Sequence, residues 1–395
     1  MLSVASASLR AATRRSGLRA MATQAPLDPS KLEINQTSAP RPRLPNAELK
    51  FGKTFADHML EMDWTRTAGW AAPTIRPYGP LAMDPAASVL HYGMECFEGM
   101  KAYIDAQGKI RLFRPEMNMA RLNKSMTRLG FPSLDGDAAL DCIKSLLRLD
   151  KSWIPRDEGF SLYLRPTAVS THPFLGVSAS DSIKVFVITS PVGPYYPEGF
   201  KPVTLFADSV NVRAWPGGVG DCKVGGNYAP TIRPQAEAAG KGFSQVLWLL
   251  GHEDGGQLTE VGTMNLFIFH RNEDGEDELV TPPLDGTILP GVTRDSVLAL
   301  ARKWGEFKVS ERNMTMGEFT RAIDAGRVHE AFGCGTAVVV SPIRGFQHNG
   351  TTYTVPLNKE DPDAGAGKLT QRFWDEITGI QYGRIPSDWS VVVDE

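Results

Sequence analysis

Lys223 lies in the segment Asp221-Cys-Lys-Val-Gly-Gly-Asn-Tyr228, where two glycines closely follow the lysine. Glycine has no side chain, so a ligand can approach this part of the backbone closely. A deprotonated lysine amine can form a Schiff base with a carbonyl cofactor. An ordinary turn with a solvated lysine would carry the same short pattern, so the segment alone leaves both interpretations open.

Glu260 precedes a small turn, Val261-Gly-Thr263, and an apolar run follows that turn. A carboxylate opposite a pyridine nitrogen keeps the nitrogen protonated, so that the ring can accept electrons from a bound substrate. Glu260 is therefore a candidate partner for a pyridine cofactor. A surface glutamate at the start of a strand is the alternative.

A Pro-Gly turn at 290–291 leads into a helix that we expect to begin near Thr293, with Val297, Leu298, Ala301 and Trp304 on one face. The free N–H groups of such a helix end attract an anion, for example a cofactor phosphate. An ordinary capped helix is the other interpretation of this pattern.

Two further features could supply donors to an anion. The turn Gly333-Cys-Gly-Thr336 is rich in glycine and carries a hydroxyl. Arg121 lies on a helix that begins at Pro115 and continues through Met119, Leu122 and Met126. The arginine could form a cationic clamp, although on an amphipathic helix it could equally face solvent.

The elements that position these residues can be recognised from their periodicity. Residues 161–165 alternate with period two, so Tyr163 and Arg165 share one face of a strand. Residues 183–188 form a near-continuous apolar run, which predicts a strand covered on both faces. Thr315 and Glu318 predict a capping box at the start of another helix.

The chain has 395 residues and is 42% hydrophobic, which is enough for two domains. The segment 191–200 concentrates proline and glycine and is interpreted as an interdomain connection. We expect an N-terminal domain over 46–192, an interdomain loop over 193–209 and a C-terminal domain over 210–395. Clefts between domains are common ligand sites.

Charge and cysteine content exclude several classes of protein. The formal net charge is −3 and there is no apolar run of eighteen residues, so neither a nucleic-acid partner nor a membrane span is expected. The four cysteines form no C-x-x-C pair and no cluster with zinc-ligand spacing, so we expect no metal site.

Residues 1–25 contain Arg10, Arg14, Arg15 and Arg19, several serines and no acidic residue. This composition is typical of mitochondrial transit peptides, which are cationic and amphipathic. A basic tail without a targeting role is the alternative. The segment predicts import into the mitochondrial matrix and is excluded from the fold.

Several long motifs occur in a fixed order between about Phe51 and Trp389. They include Phe51-Gly-Lys-Thr-Phe-Ala-Asp-His-Met-Leu, Cys96-Phe-Glu-Gly-Met-Lys-Ala-Tyr, Arg111-Leu-Phe-Arg-Pro-Glu-Met-Asn-Met, Pro191-Val-Gly-Pro-Tyr, Trp304-Gly-Glu-Phe and Ile380-Gln-Tyr-Gly-Arg. With them, the chain resembles the pyridoxal phosphate (PLP) dependent aminotransferases of fold type IV, and among these the eukaryotic branched-chain aminotransferases. The resemblance implies an α/β (α+β) protein with a smaller N-terminal domain, a larger C-terminal domain, the cofactor in the interdomain cleft, and a homodimer.

The resemblance also implies roles for individual residues. Lys223 would hold PLP and move the proton, Tyr228 would hydrogen-bond the ring hydroxyl, and Glu260 would pair with the pyridine nitrogen. The phosphate would be held by Arg121, Val292, Thr293 and Thr336, and Leu289 would pack on the ring. The substrate pocket would consist of Phe51, Tyr92, Phe97, Tyr163, Tyr195, Thr263, Ala337 and Val338, with Arg165 for the distal carboxylate of glutamate.

The implied reaction is reversible amino transfer between leucine, isoleucine or valine and 2-oxoglutarate. One departure from the pattern is that Val338 and Ser341 occupy the positions of a C-x-x-C redox pair found in mammalian relatives, so we expect no thiol switch there. Another fold type IV activity, such as D-amino-acid aminotransferase or aminodeoxychorismate lyase, is the second interpretation. A non-catalytic binding or scaffold protein is the third, although both Lys223 and Glu260 are present.

Overall fold

The computed structural model of the protein describes residues 24–194, 200–358, 360–361 and 364–393. The predicted transit segment therefore lies almost entirely outside the described residues, as does Tyr195. In the described part of the chain, no helix is long and apolar enough to cross a membrane.

The first half of the chain builds one sheet and the helices that cover it. Its elements are β1 (Glu33–Ile34), β2 (His58–Thr65), β3 (Gly69–Trp70), β4 (Thr74–Pro77), α1 (Ser88–Tyr92), β5 (Glu95–Phe97), β6 (Met100–Ile104), β7 (Ile110–Phe113), α2 (Pro115–Arg128), α3 (Gly136–Leu149), β8 (Ser161–Ser170) and β9 (Ser182–Val192).

The second half builds another sheet with its own helices and ends in a strand that returns to the first sheet. Its elements are β10 (Val203–Asp208), α4 (Ile232–Gly240), β11 (Gln245–Leu250), β12 (Gln257–Val261), β13 (Met264–Arg271), β14 (Asp277–Thr281), α5 (Val292–Trp304), β15 (Lys308–Glu311), α6 (Met316–Asp324), β16 (Val328–Gly335), β17 (Val339–His348), β18 (Thr351–Thr354), α7 (Lys368–Gln381) and the returning strand β19 (Ser390–Val393).

The strand order separates the two sheets. The first has ten strands in the order β1-β4-β2-β9-β8-β6-β7-β19, with β3 beside β2 and β5 beside β8. The second has nine strands in the order β12-β11-β10-β17-β16-β13-β14-β15, with β18 beside β17. Because β12 also pairs with β13, the strands from β12 to β13 in this order close into a ring. This arrangement is the two-domain α/β fold that the sequence resemblance implied.

Each domain has its own apolar core. Helices α2 and α3 pack on one face of the first sheet through residues such as Leu122, Met126 and Ile143. In the second domain, α6 packs on one side of the sheet through Phe319, whereas α5 and α7 pack on the other through Val297 and Phe373. Residues from both halves of the chain line a common cleft.

Several local predictions are confirmed. Helix α2 begins at Pro115, and helix α5 begins at Val292, one residue before the predicted start. At α6 the capping box is complete, because Thr315 Oγ1 accepts from Glu318 N–H at 3.1 Å and the Glu318 carboxylate accepts from Thr315 N–H at 2.7 Å.

Strand β9 differs from its prediction. Ile183, Val185 and Val187 are buried, but the alternate residues Lys184 and Phe186 are only half-buried. The expectation of a strand covered on both faces is therefore wrong, because burial alternates along residues 182–188 and only one face of this stretch is fully buried.

The link between the domains is shorter than the predicted loop. Strand β10 occupies 203–208, within the predicted connection of 193–209, since Val203, Leu205 and Ala207 alternate into the second core. The C-terminal strand β19 returns to the first sheet and pairs with β7. The boundaries 46–192 and 210–395 remain a proposal about how the chain divides.

Candidate active site

Lys223 is fixed by contacts on both sides of its backbone. Its N–H donates to Ser125 Oγ at 2.8 Å, and its carbonyl accepts from the N–H of Phe97 at 2.9 Å. The Asn227 side chain donates to the carbonyl of Cys222 at 2.8 Å and so closes the glycine-containing turn. The lysine amine thereby projects from a rigid segment at the domain boundary.

The amine itself lies among polar and aromatic groups. Lys223 Nζ donates to the Tyr228 hydroxyl oxygen at 2.9 Å and lies 4.7 Å from the centre of the Phe97 ring. Burial, with a further contribution from the Arg121 charge, lowers the pKa of Lys223 to about 8. Burial also raises the pKa of Tyr228 to about 12, so its hydroxyl stays protonated and can donate a hydrogen bond.

The lowered pKa of Lys223 has a measurable consequence. In the cofactor-free protein, capture of pyridoxal should accelerate about tenfold per pH unit up to about pH 8 and then level off, because only the neutral amine reacts. An ordinary lysine would show this rise up to about pH 10.4. Stopped-flow absorbance measures the rate, and pyridoxal avoids titration of a phosphate group. Lys223→Ala is the control, and a rate still rising steeply above pH 9 would contradict the prediction.

Glu260 lies on β12 at the bottom of the cleft, and both oxygens of its carboxylate have partners. One carboxylate oxygen accepts from Leu289 N–H at 2.7 Å, and the other lies 3.1 Å from Arg213 Nε. Both charged side chains are buried. Burial raises the pKa of Glu260, whereas the Arg213 charge and the Leu289 hydrogen bond act in the opposite direction. Arg213 thus favours an ionised Glu260 in an otherwise apolar position.

A cradle of donors lies across the cleft from Glu260. Arg121 enters from α2, and its Nε and Nη2 donate to the Glu98 carboxylate at 2.7 and 2.8 Å. Its Nη1 donates to the carbonyl of Pro290 at 3.0 Å, next to the start of α5. Glu98 is fully buried; burial acts to raise its pKa, but Arg121 outweighs this and holds the pKa below its ordinary value.

The first turn of α5 has no side-chain cap, so the N–H groups of Val292 and Thr293 point into the cleft without a competing acceptor from the N-cap residue Gly291. Thr336 lies on the other side of the same cavity. A helix end with a nearby guanidinium and hydroxyls is a suitable site for a phosphate group. The donor set of the cleft therefore fits PLP.

One cavity of about 470 Å³ brings most of the predicted residues together. Those that line it are Phe51, Phe97, Arg121, Tyr163, Arg165, Lys223, Tyr228, Thr263, Leu289, Val292, Thr293, Thr336, Ala337 and Val338. Glu260 lies beneath this lining, where it contacts the backbone of Leu289.

Aromatic side chains form one wall of the cavity. The rings of Phe51 and Tyr163 meet edge to face at 4.9 Å, and the Arg165 guanidinium lies 4.8 Å from the centre of the Phe97 ring. Tyr163 also packs against the backbone of Gly99, where any side chain would overlap its hydroxyl. The wall therefore combines apolar surface with a single arginine.

Tyr92 is not brought to this cavity. It ends the short helix α1, is 42% exposed, and its hydroxyl donates to the carbonyl of Leu175. Helix α1 stops at Gly93, which adopts a left-handed conformation, so the chain turns towards β5 and leaves Tyr92 at the surface. Tyr195 lies outside the described residues.

Several residues of the site were missed by sequence reasoning. Glu98 and Arg213 each pair with a predicted residue, and Gln245, Met264 and Asn265 line the cavity. Glu98 directly follows Phe97 in the motif that begins at Cys96 and could have been noticed. Arg213 offered no signal, because its contact with Glu260 joins positions far apart in the chain.

The described residues contain no group of three or more potential metal ligands. Cys334 lies in the lining of the cavity but is buried, and burial raises the pKa of its thiol well above the ordinary range. A buried thiol of high pKa reacts poorly with oxidants. The absence of a thiol switch at Val338 and Ser341 stays a prediction.

The model of the amino-transferase class IV family matches residues 95–346. This chain belongs to that family. Its relatives include branched-chain-amino-acid aminotransferases from Dictyostelium discoideum, 56% identical over 92% of this chain and 95% of the relative, and from yeast mitochondria, 49% identical over 95% and 96%. A cytosolic mouse form is 50% identical over 87% of both chains.

Solved structures agree with the fold of this aminotransferase. The branched-chain aminotransferase of Escherichia coli superposes with a TM-score of 0.65 at 24% identity, covering 84% of this chain and 99% of the other. The enzyme from Thermobaculum terrenum, determined in its PLP form, has the same TM-score at 22% identity, covering 86% and 99%. The family of the chain and its two-domain fold thus agree with the sequence resemblance.

Proposed function

We propose that this chain transfers the amino group between L-leucine, L-isoleucine or L-valine and 2-oxoglutarate, with PLP as cofactor. The observation that carries the proposal is one cavity that contains a lysine of lowered pKa, an uncapped helix end and a single arginine on an aromatic wall. The relatives named above are branched-chain aminotransferases, which supports the substrate class.

When bound, PLP withdraws electrons from the substrate Cα and so makes the Cα proton acidic. The Lys223 amine would take up that proton as general base and release it again as general acid. Tyr228 would donate a hydrogen bond to the ring hydroxyl. Glu260, whose charged form Arg213 favours, would pair with the pyridine nitrogen.

The remaining residues bind and orient. Arg121, Thr336 and the N–H groups of Val292 and Thr293 would hold the phosphate at the start of α5. Leu289 would pack against the ring. Together these residues would orient the cofactor towards the Lys223 amine, and such positioning is a large part of catalysis.

The pocket has to accept an apolar side chain in one half-reaction and a carboxylate in the other. Phe51, Phe97 and Tyr163, with Thr263, Ala337 and Val338, surround the apolar side chains of the three substrates. A buried carboxylate without a partner would be costly in such a pocket. Arg165 supplies that partner from the same wall.

Arg165→Ala should therefore impair the two half-reactions unequally. We expect the specificity constant for 2-oxoglutarate to fall about 10- to 100-fold, the value of one charged hydrogen bond, and that for leucine to change less than about threefold. Single-turnover absorbance measurements separate the two halves. Equal losses in both would remove Arg165 from this role.

The test of the function as a whole is the visible spectrum of the holoenzyme mixed with L-leucine in the absence of an amino acceptor. Conversion to the pyridoxamine form, reversed by 2-oxoglutarate, is the expected result. A spectrum that responds to D-alanine but not to L-leucine would favour the D-amino-acid activity instead. Failure to bind PLP would refute the proposed activity, and only the assignment of the fold would stand.

We also propose that the enzyme is a homodimer. Leu90, Phe174, Leu175 and Val177 are large apolar side chains exposed on one region near Tyr92, and Val177 is 82% exposed. Such a patch is costly on a monomer. The predicted contact of Tyr92 with substrate would therefore have to be made in the active site of a second subunit.

The oligomeric state can be measured by light scattering, which should give twice the mass of the chain. The double variant Leu175→Glu with Val177→Asp should have a lower mass, because charged side chains would disrupt the apolar interface. A monomeric wild-type protein would refute the proposal.

Localisation in the mitochondrial matrix is a further proposal. It rests on the arginines of residues 1–25, while the relatives include both mitochondrial and cytosolic forms. A fluorescent protein fused to residues 1–25 should enter mitochondria, and the same fusion with Arg10, Arg14, Arg15 and Arg19 changed to glutamine should not. Cytosolic fluorescence from both fusions would refute import by this segment.

A further inference from the structure

The arginines in and below the cavity differ in how their charge is balanced. Arg121 is held by Glu98 at 2.7 Å, and Arg213 lies 3.1 Å from Glu260. Arg165 has no such clamp: its Nη2 donates to the Tyr163 hydroxyl at 3.2 Å, and its buried Nε has no hydrogen-bond partner among the described residues. Its guanidinium is thus available to a ligand but needs a nearby negative charge when the ligand is apolar.

Glu95 is in a position to provide that charge. Strand β5 pairs with β8, with Glu95 opposite Val169 and Phe97 opposite Thr167. Side chains two residues apart in a strand share one face, so Glu95 lies on the same face as Phe97, whose ring is beside the Arg165 guanidinium. Glu95 therefore points to the same side of β5 as Phe97, a residue that lines the cavity.

The Glu95 carboxylate is held in place by the segment that carries the catalytic lysine. It accepts a hydrogen bond from the N–H of Gly225, and any side chain at Gly225 would overlap the carboxylate oxygen. The carboxylate interacts electrostatically with Arg165 without forming a close ion pair. Burial raises the pKa of Glu95, while Arg165 and the Gly225 N–H favour the charged form.

We propose that Glu95 is a specificity-determining residue that acts as the counter-charge of Arg165. With an apolar substrate bound, it offsets the charge of a guanidinium that forms no ion pair within the described part of the chain. With a dicarboxylate bound, it weakens the attraction between Arg165 and the distal carboxylate, so that neither substrate class dominates. This inference rests on the proposed role of Arg165 in substrate binding.

Removing the Glu95 charge should shift the selectivity of the pocket. In Glu95→Gln the distal carboxylate would meet Arg165 without a competing negative charge. A partly screened charge that is not in contact justifies an effect of about three- to tenfold on affinity. An apolar ligand should gain nothing, because it makes no charged contact with Arg165.

The experiment compares two unreactive ligands on the holoenzyme at pH 8. Glutarate represents the dicarboxylate substrate, and 4-methylvalerate represents the apolar one. Titration of each is followed through the visible absorption of the bound cofactor, which requires no turnover. The variants are Glu95→Gln, Arg165→Ala and the double variant, with Glu116→Gln as a control because Glu116 is exposed on α2.

The expected result is that Glu95→Gln binds glutarate about three- to tenfold more tightly and 4-methylvalerate no more tightly than wild type. The gain should disappear in the Arg165→Ala background, and Glu116→Gln should match wild type. An equal change for both ligands, no change for either, or a gain that persists without Arg165 would overturn the proposal.

Two further comparisons distinguish a failure of this proposal from a failure of the proposed role of Arg165. Normal glutarate affinity in Arg165→Ala would overturn both this proposal and the substrate role of Arg165, whereas a loss in Arg165→Ala combined with no effect of Glu95→Gln overturns this proposal alone. Glu95→Asp keeps the charge and should keep the wild-type ratio of affinities. If Glu95→Gln does not fold, Glu95→Ala should likewise bind glutarate more tightly relative to 4-methylvalerate. If Glu95→Ala and Glu95→Asp had the same ratio of the two affinities, the proposal would be overturned.

Discussion

Lys223→Ala should lower kcat by at least about 10⁴-fold, since the variant loses both the covalent anchor of the cofactor and the base that moves the Cα proton. The backbone of residue 223 is held by Ser125 and Phe97, so the turn should keep its shape without the side chain. Single-turnover measurements with L-leucine give the rate, and equilibrium dialysis gives the remaining affinity for PLP.

Lys124, an exposed lysine on α2, provides a matched control. Lys124→Ala removes an exposed lysine whose partner is Asp221, two residues before the catalytic lysine. Because surface ion pairs contribute little, this variant should keep nearly wild-type activity and stability. A Lys223→Ala enzyme that retained more than about one hundredth of the wild-type rate would exclude Lys223 as the general base.

Glu260→Gln should reduce both activity and stability. The neutral amide no longer holds the pyridine nitrogen protonated, and the loss of one such preorganised group lowers kcat by about 10²- to 10³-fold. The change also leaves Arg213 buried without a counter-ion, which should lower the free energy of unfolding by about 3–5 kcal/mol. Urea denaturation should be measured without PLP, because bound cofactor would itself stabilise the native state.

The two effects of Glu260→Gln can be separated by a second substitution. Arg213→Met combined with Glu260→Gln removes the unpaired charge and should recover much of the stability, but not the rate. If the double variant also recovered the rate, Glu260 would act only through the fold. If Glu260→Gln lowered neither quantity, the assignment of Glu260 as the partner of the ring would be wrong.

Paired charges are a general feature of this site. Arg121 with Glu98, and Arg213 with Glu260, are close pairs that hold a functional group in one position. In such pairs the cost of burial is offset by short contacts and additional hydrogen bonds. Arg165 has no close ion pair among the residues that the structure describes, which suits a residue that has to release one substrate class and bind another.

The sequence by itself determined the local elements and the identity of the site. Helix α2 begins at Pro115 and the capping box lies at Thr315, because proline geometry and side-chain capping act over a few residues. Tyr163 and Arg165 share a face because alternation is a property of any strand. The motif around Lys223 was informative for the same reason, since its turn is closed by hydrogen bonds within the segment.

Only the tertiary structure decided which distant charges meet. Arg213 contacts Glu260, Glu98 pairs with Arg121, and Glu95 lies against Gly225, although the members of each pair are far apart in the chain. The exposure of Tyr92 and the one-sided cover of β9 are likewise results of packing. Periodicity and capping depend on neighbours along the chain, whereas the partner of a buried charge depends on how sheets and helices pack, and no pattern within a single segment records that.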